Sequence, residues 1–381
     1  MAKLKIAVVI PRYGLIGGAE TVVFELTERL AGFEDFEIHV FANRWRCGQA
    51  PVTFHRVPVI GFPRWLGPVS FALFARRRIR SIGCDIIHSH ERIFEMDLFT
   101  FHGIPHATWI REARQKRLSL FDRATARVEQ KGISGAGAPL ILPVSNLVRD
   151  ELLKVYDLPD SRIQVVHPGV SVRRFSDPDR TGCRSEIRKL HGLTPEDGVV
   201  LFVGMNFEIK RLDLVIGGLA EASRNSPDCR RMKLLVVGRG NTEKYRKLAQ
   251  ELGIAEQVIF AGVTREVEKY YLAADILAMP SHFDTFGLVV LEAMVAGLPV
   301  IISEKVGAKD LIKSGQNGFV LSDSADASEM GAVLAALADP DKRHQMGKNA
   351  RKTAVKCDWD HVASQVAEIY RRLDREKRIS K

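Results

Sequence analysis

The sequence predicts an α/β protein made of two Rossmann-like, doubly wound domains. Short apolar runs alternate with amphipathic helical patterns along the 381 residues. Apolar runs of this length between helices are typical of parallel strands that are buried on both faces of a sheet. The series pauses at a polar stretch, residues 175–198, which contains Asp-Pro-Asp and Thr-Pro-Glu turn signals, and it restarts at Val199. Two units of one kind therefore follow each other along the chain.

Each predicted strand is a short apolar run followed by a helical pattern. In the first domain the predicted strands are Leu4–Ile10, Glu37–Phe41, Asp85–His88, Leu98–Phe101, Leu140–Val144 and Gln164–Val166. In the second domain they are Val199–Val203, Leu234–Val237, Val258–Phe260, Ile276–Met279, Pro299–Ile302 and Phe319–Leu321. We place the domains at residues 1–167 and 168–358, with a hinge region around 168–198. A final helix, 359–381, has an apolar face and is expected to pack back on the N-terminal domain.

Composition and net charge limit the classes of protein to which this chain could belong. With 46% hydrophobic and 27% charged residues, the chain has a soluble globular composition, and no apolar run is long enough to span a membrane. Five scattered cysteines without a Cys-x-x-Cys pair argue against disulfides and zinc, and they favour the reducing cytoplasm. A net charge of +10 suggests an anionic partner. A nucleic-acid-binding module is the alternative class, but no recognition motif supports it, so we expect no nucleic acid.

A Gly17-Gly18 pair follows the first predicted strand and precedes an amphipathic helix. In open α/β sheets ligands bind beyond the carboxyl ends of the strands, and glycines at a helix N-terminus let amide groups approach a phosphate. A plain turn between strand and helix explains the pair equally well. The dehydrogenase pattern Gly-x-Gly-x-x-Gly is absent here and also around Arg239, which disfavours a nicotinamide enzyme.

Two adjacent cations, Lys210 and Arg211, come shortly after the strand that restarts the series. Gly204 between strand and cations gives space for a close approach of a ligand. Cations in this position suit a diphosphate, because they neutralise the charge that develops on a leaving group. The alternative is a solvated Lys-Arg pair at the start of a helix.

The segment from Pro280 to Glu292 contains two acids that core packing does not explain. Asp284 precedes a glycine, Gly287, that is predicted to begin a helix, and Glu292 lies within that almost uncharged helix. Carboxylates accept hydrogen bonds from adjacent hydroxyls of a sugar or ribose. The alternative, an acid placed only for the helix dipole, leaves a carboxylate on an apolar helix without a partner.

These three motifs, in this order and spacing, resemble the retaining glycosyltransferases of family 4, which have the GT-B fold of two facing Rossmann-like domains. The resemblance covers nearly the whole chain. Within the family, residues 203–213, residues 280–301 and the basic stretch after Asp97 are most similar to the lipopolysaccharide-core glucosyltransferases that act on heptose. The family pattern is Glu-x7-Glu, whereas this chain has Asp284 as the first acid, which leaves the donor sugar open.

The resemblance implies a role for each motif in a nucleotide-sugar-dependent hexosyltransferase. Glu292 would hold ribose hydroxyls, Asp284 would meet the hexose, Lys210 would bind the diphosphate, and His102 would lie near the transferring sugar. Asp97 is a second candidate for contact with the acceptor hydroxyl, so the implied catalytic set is His102, Asp97, Lys210 and Asp284. The implied donor-binding set is Gly17, Gly18, Arg173, Gly204, Lys210, Arg211, Arg239, Asp284, Phe286, Gly287, Leu288 and Glu292.

Cofactors and partners follow from the same resemblance. The Asp-Pro-Asp turns at 177–179 and 339–341 fit helix caps better than metal ligands, so we expect no metal and no cofactor. The expected partners are a nucleotide sugar, with UDP-glucose favoured, and a lipid-linked saccharide. GDP-mannose or another sugar donor is the alternative. Two basic amphipathic segments, 64–80 and 109–131, are expected to bind an anionic membrane on its inner face, although helices packed into the domain explain them almost as well.

Overall fold

The computed structural model describes residues 3–15, 17–113, 116–134, 137–176 and 178–379. It divides the chain into two units. Unit 1 comprises Met1–Gly169 and Trp359–Lys381, and unit 2 comprises Val170–Asp358. The sequence placed the first boundary two residues earlier, at 167/168.

Unit 1 is built on a six-stranded parallel sheet. Its strands are β1 Leu4–Val9, β3 Phe36–Ala42, β5 Thr53–Arg56, β6 Ile86–Ser89, β7 Leu98–Phe101 and β8 Leu140–Pro143, and a separate two-stranded pair is formed by β2 Arg12–Tyr13 and β4 Arg44–Trp45. The order of strands in the sheet is β5-β3-β1-β6-β7-β8. The helices of this unit are α1 Gly18–Leu30, α2 Leu66–Ile82, α3 His106–Thr108, α4 Leu120–Ser134, α5 Asn146–Leu153 and α14 Trp359–Ile379. A π-helical stretch, Trp109–Ala113, follows α3.

Unit 2 repeats this architecture. Its strands are β9 Gly198–Gly204, β10 Met232–Gly238, β11 Val258–Gly262, β12 Ile276–Met279, β13 Val300–Ser303 and β14 Gly318–Leu321. They form one sheet with the order β11-β10-β9-β12-β13-β14, again all parallel. Its helices are α6 Arg173–Ser176, α7 Arg180–Leu190, α8 Leu212–Asn225, α9 Thr242–Glu251, α10 Val267–Ala273, α11 Leu288–Val295, α12 Ala327–Ala336 and α13 Pro340–Ala354.

The central strands are apolar on both faces because helices cover both sides of each sheet. Ile6 of β1 aligns with Ile38 of β3 on one side and with Ile86 of β6 on the other, and all three are fully buried. Such strands read as continuous β-branched runs rather than as alternating patterns. The two predicted series of parallel strands are therefore confirmed as the two sheets.

Three sequence expectations need correction. Strand β5 was not predicted, because it is a short edge strand with exposed ends at Thr53 and Arg56. Conversely, Gln164–Val166 is not a strand, although the Gln164 amide donates to the Ile141 carbonyl at 2.9 Å. A parallel ladder would next need a donor on Pro143, which has no N–H, so the ladder is interrupted there although the Val166 amide still donates to the Pro143 carbonyl at 3.0 Å.

The third correction concerns the expected hinge region around 168–198. Helix α7 within it packs against α10 as part of unit 2. Arg188 is buried and its guanidinium pairs with Asp275 at 2.8 Å. Residues 180–198 are therefore integral to unit 2 rather than a linker.

Among the described residues, no helix combines the length and the apolarity needed to cross a membrane.

Candidate functional site

The carboxyl ends of β9 and β12 bring Lys210 and Asp284 together in unit 2. The two strands are neighbours in the sheet, so the loops that follow them emerge side by side. The Lys210 ammonium forms an ion pair with the Asp284 carboxylate, and both side chains are about one-fifth exposed, at 19% and 21%. The Asp284 backbone is fixed by its amide, which donates to the Lys305 carbonyl, and by its carbonyl, which accepts from the Gly307 amide, each at 2.9 Å. A cation and an acid are thus held in contact at the ligand edge of this sheet.

Helix α11 begins directly after this acid. Gly287 has φ +90°, a conformation that favours glycine, and a Cβ there would lie only 3.0 Å from the Met279 side chain and 3.1 Å from Val306. The buried Phe286 donates its amide to the Asp284 carboxylate at 3.2 Å. Leu288 is the first residue of the helix. The helix thus begins one residue after the predicted Gly287, which is its N-cap, and the Phe286 amide is already hydrogen-bonded to Asp284.

Glu292, one turn into α11, is held by an aromatic hydroxyl that the sequence did not single out. The Tyr271 hydroxyl donates to the Glu292 carboxylate at 2.8 Å. Burial raises the pKa of Glu292, while the Tyr271 hydrogen bond and the positive charge of Arg174 oppose that rise. Arg174 itself pairs with Glu268 at 2.8 Å. Tyr271 and Arg174 are unmarked in the sequence, because neither lies in a recognisable motif.

Three further predicted donor residues of unit 2 are Gly204, Arg239 and Arg173. Gly204 and Gly238 end neighbouring strands, and a Cβ on Gly238 would meet the Gly204 carbonyl oxygen at 1.8 Å, so the two backbones need this glycine to approach. Arg239 is exposed at that strand end, and its amide donates to the Gly204 carbonyl at 3.2 Å. Arg173 is exposed at the start of α6.

Arg211 corrects the expectation of two phosphate-facing cations. Its backbone has φ +55°, and its guanidinium donates to the Ala325 carbonyl at 2.9 Å. Its Nε atom is buried without a hydrogen-bond partner within the described chain. Arg211 is therefore used in packing the end of α8, and Lys210 alone of the pair reaches Asp284.

In unit 1, Gly17 and Gly18 lie at the start of α1, beyond the carboxyl end of β1. Gly18 has open space around its missing Cβ, whereas a Cβ on Gly17 would contact the Glu20 carboxylate. Glu20 in turn pairs with Arg12 at 2.9 Å. The glycines thus lie at the ligand edge, as expected, beside an acid that the phosphate hypothesis did not include.

Asp97 and His102 lie at opposite ends of β7, so the structure does not support Asp97 as an active-site residue. They are five residue steps apart, which corresponds to about 16 Å of extended chain. The Asp97 carboxylate accepts from the Ile87 amide at 2.8 Å and pairs with Lys377 at 2.7 Å, both at the amino edge of the sheet. Ligands bind at the other edge. Only His102, which follows β7, remains a catalytic candidate in this unit.

His102 belongs to a cluster of three histidines at the carboxyl ends of β6 and β7. His102 Nε2 lies 3.0 Å from His90 Nδ1, and the His88 ring lies 4.2 Å from the His90 ring between centroids. His88 also contacts the Tyr370 hydroxyl and the Thr100 hydroxyl, each at 2.7 Å. Burial lowers the pKa of His102 to about 4 and that of His88 to about 3, and it lowers the pKa of His90 as well. The three rings are neutral at physiological pH. The His-Ser-His pattern at the end of β6 could have revealed this cluster.

The Asp-Pro-Asp turns contain helix caps. Asp179 accepts from the Thr181 and Gly182 amides at the start of α7, and Asp339 accepts from the Asp341 and Lys342 amides at the start of α13. Asp177 lies outside the described residues. Across the described ranges, no group of three or more His, Cys, Asp or Glu side chains is arranged so that it could hold a metal ion.

Two glycosyltransferase family models match this chain, one over most of unit 1 and the other over most of unit 2. Glycosyltransferase Family 4 matches residues 16–174, and Glycosyl transferases group 1 matches residues 184–353. A curated relative from Gordonia bronchialis, named D-inositol 3-phosphate glycosyltransferase, is 27% identical over 95% of this chain and 85% of its own length. A relative of the same name from Nocardia farcinica is 32% identical over 58% of this chain, and the match spans only 49% of that relative.

Solved structures share the fold. WaaG, a glycosyltransferase involved in lipopolysaccharide biosynthesis, superposes with a TM-score of 0.79 over 96% of this chain and 99% of its own, at 22% identity. Sucrose-phosphate synthase from Thermosynechococcus elongatus gives 0.77 over 97% and 99%, also at 22% identity. HepE from Anabaena, solved with UDP-glucose, gives 0.72 over 96% and 99%, at 18% identity. At these identities the likeness concerns the GT-B fold alone.

Proposed function

Because this chain is a sugar-transferring enzyme made of a family 4 and a group 1 glycosyltransferase domain, we propose that it moves a hexose from a nucleoside diphosphate sugar with retention of configuration. The observation that supports this most is the contact of Lys210 with Asp284 at the ligand edge of unit 2. One charge of the pair suits the leaving diphosphate and the other suits hexose hydroxyls. UDP-glucose is the favoured donor.

In the proposed reaction the bond between the hexose C1 and the diphosphate oxygen breaks while an acceptor oxygen attacks C1 from the same face. The proton of the acceptor hydroxyl goes to the departing phosphate oxygen, so atoms and charge balance. The Lys210 ammonium stabilises the negative charge that grows on the diphosphate. Asp284 orients the hexose, and Glu292 binds the ribose hydroxyls of the donor.

We propose that this reaction needs no divalent metal ion. The Lys210 ammonium and the amide groups at helix N-termini supply positive charge where a metal ion acts in other sugar transferases. The two Asp-Pro-Asp turns are poor alternatives, because Asp179 and Asp339 already accept amide hydrogens as helix caps.

We propose a phosphate-bearing lipid saccharide, such as the inner core of lipopolysaccharide, as the acceptor, bound by unit 1. A cavity of about 700 Å³ in this unit has aromatic and basic side chains in its walls. They include Trp65, Trp109, Lys116 and Arg117, and Leu120 adds an aliphatic side chain. Leu120 is 68% exposed and Trp65 is 40% exposed, so apolar area and positive charge are presented together. This combination suits a molecule that has both an anionic group and an apolar chain.

The same surface extends the proposal to an anionic membrane. Helix α2 buries Phe71, Ala75 and Ile79, so its apolar face packs inward, but Arg77 and Arg78 are exposed on the other side. The loop before α2 exposes Phe62 at 87%. In the second basic segment, 109–131, residues 114 and 115 lie outside the described residues. We propose that exposed cations and loop aromatics, rather than the helix faces, hold the enzyme at the cytoplasmic surface of a membrane.

An inositol phosphate is the second candidate acceptor, because the curated relatives are named D-inositol 3-phosphate glycosyltransferases. Its phosphate would use the same cations, but it would leave the exposed aromatic side chains without a role. This difference favours the lipid-linked acceptor.

The decisive experiment incubates the purified protein with UDP-glucose, UDP-galactose, UDP-N-acetylglucosamine and GDP-mannose. Slow hydrolysis of the donor is measured without acceptor, and transfer is then measured with the best donor. The acceptors compared are inositol 3-phosphate and a heptose-containing lipopolysaccharide core. We expect UDP-glucose to be used and the lipid-linked core to accept. Turnover of inositol phosphate alone would replace the proposed acceptor, and hydrolysis of no donor would overturn the proposed reaction.

A further inference from the structure

His90 makes a single, well-defined contact with the active-site candidate His102. Its Nδ1 atom lies 3.0 Å from His102 Nε2, and the two ring planes are inclined by 24° with their centroids 5.3 Å apart. The backbone amide of His90 donates to the Val9 carbonyl at 2.9 Å, which fixes the backbone of His90 at the end of β6. Only 8% of His90 is exposed. Its ring is therefore held in place, facing one nitrogen of His102.

The proton between these rings decides what His102 offers to a ligand. Each neutral imidazole has one N–H, so one ring donates across the contact and the other accepts. If His102 donates from Nε2, both rings have their proton on Nε2, the nitrogen that a neutral histidine side chain prefers. If His90 donates instead, both rings take the less favoured Nδ1–H form. The first arrangement is thus favoured, because both rings then have the preferred tautomer. It leaves a lone pair on His102 Nδ1.

The structure gives His102 Nδ1 no hydrogen-bond partner within the described part of the chain, and His102 is only partly buried. We propose that His90 is a positioning residue which holds His102 in the Nε2–H tautomer, so that His102 Nδ1 accepts a hydrogen bond from a hydroxyl of the substrate sugar. This inference rests on the proposed sugar transfer for the identity of the ligand. The orientation of His102 by a second histidine is the same logic by which other enzymes fix a catalytic imidazole.

The cluster offers a matched control. His88 packs against His90 but its two ring nitrogens bond to the hydroxyls of Tyr370 and Thr100, not to His102. Tyr370→Phe therefore removes a buried hydrogen bond from the same cluster without touching the contact between His90 and His102. A general loss of packing would affect this variant as well, whereas loss of tautomer control would not.

The test compares His90→Phe, His90→Asn and Tyr370→Phe with the wild type. Phenylalanine keeps an aromatic ring but has no acceptor, and asparagine places an amide oxygen near the former position of Nδ1. Nitrogen-15 spectra of the histidine side chains, with the His102 signals assigned by comparison with His102→Gln, report which nitrogen has the proton. Thermal melts confirm that each variant is folded.

We expect the Nε2–H form of His102 in the wild type, in His90→Asn and in Tyr370→Phe, and a mixture of both forms in His90→Phe. The kcat for sugar transfer should fall about tenfold in His90→Phe, the effect of one misplaced hydrogen bond, with the donor KM nearly unchanged. His90→Asn should recover most of that loss.

An Nδ1–H form of His102 in the wild type would overturn the inference, as would an unchanged tautomer and kcat in His90→Phe. Equal kinetic losses in His90→Phe and Tyr370→Phe would show that the cluster only supports packing. If the wild type transfers no sugar at all, the proposed function fails, while the spectra still decide whether His90 sets the tautomer.

Discussion

The carboxylate of Glu292 is a group whose burial opposes folding. Its folded pKa is raised above the value of about 4.3 that is typical of an exposed glutamate. The charged form therefore destabilises the fold at every pH above the folded pKa. The penalty disappears once the pH falls below the unfolded pKa, because the group is then protonated in both states. A group that is retained at this cost is more consistent with ligand binding than with stability.

Glu292→Gln separates the effect of the Glu292 charge on stability from its effect on donor binding. Glutamine keeps the volume and can still accept from Tyr271, so the variant should melt at a higher temperature than the wild type at pH 8. The difference should vanish near pH 4. The donor KM should rise by about tenfold or more, since a charge-assisted hydrogen bond to ribose is lost, while kcat changes little. Thermal melts at both pH values and steady-state kinetics check this, with Glu256→Gln at an exposed position as the control. A lower melting temperature at pH 8 with unchanged KM would make Glu292 a structural residue.

Lys210 and Asp284 are paired, but the proposed reaction gives them different roles. Lys210→Ala should reduce kcat/KM by about 10²- to 10³-fold, because it removes a donor directed at the departing diphosphate. Asp284→Asn should mainly lower kcat, because it weakens the hold on the reacting hexose. Lys233→Ala, which changes a half-buried lysine at the amino edge of the same sheet, should leave the kinetics unchanged. Near-wild-type kinetics in folded Lys210→Ala would show that the ion pair is only a surface contact.

Among the elements, those that the sequence predicted best are the ones with strictly local signals. Gly287 marked the start of α11, and buried β-branched runs such as Val199–Val203 marked strands. Contacts that join distant segments left no such trace. The Tyr271 hydroxyl donates to Glu292 from a different helix. The Arg211 guanidinium donates to the Ala325 carbonyl, far along the chain, instead of lying beside Lys210 at the ligand edge.

Charge type alone also misled the prediction at Asp97. An acid beside a strand is equally plausible at either edge, but only one edge binds ligands. Asp97 precedes its strand and His102 follows it, and this order is visible in the amino-acid sequence. The end of the strand at which a polar residue lies is therefore a better guide to a ligand site than its charge.

The exposed cations of α2 give an element-level prediction for membrane binding. Arg77→Glu combined with Arg78→Glu should weaken binding to vesicles that contain anionic lipid, because each cation near such a surface contributes about 1 kcal/mol. Wild-type binding should also weaken as added salt shortens the Debye length. Vesicle sedimentation measures both effects. Lys189→Glu combined with Lys342→Glu, the same charge change at exposed positions of unit 2, should bind like the wild type. Equal retention of the wild type on neutral and anionic vesicles would contradict the prediction.

The chemistry of the whole enzyme can be tested for a metal requirement. If Lys210 and helix N-termini stabilise the diphosphate, saturating EDTA should leave the rate of sugar transfer nearly unchanged. The measurement compares initial rates with EDTA, with EDTA plus excess magnesium, and with manganese. A collapse that either ion restores would make a divalent cation part of the reaction.

The path of the chain predicts how its two units depend on its last helix. The chain leaves unit 1 after Gly169 and returns at Trp359, so that α14 completes a unit that begins at the other terminus. This helix buries Trp359, Val362, Val366, Ile369 and Tyr370. At about 1.5–3 kcal/mol for each large apolar side chain, their burial is comparable to the whole stability of a typical domain, about 5–15 kcal/mol.

Truncation after Asp358 should therefore unfold unit 1 while unit 2 keeps its own core. Hydrogen exchange should show lost protection in β1 and β6 and retained protection in β9 and β12. Truncation after Asp374 is the control, because it removes the helix end but keeps every buried side chain of α14. Unit 1 peptides that remain protected without α14 would show that the sheet of unit 1 is stable alone. In that case the return of the chain at Trp359 would serve a purpose other than the stability of unit 1.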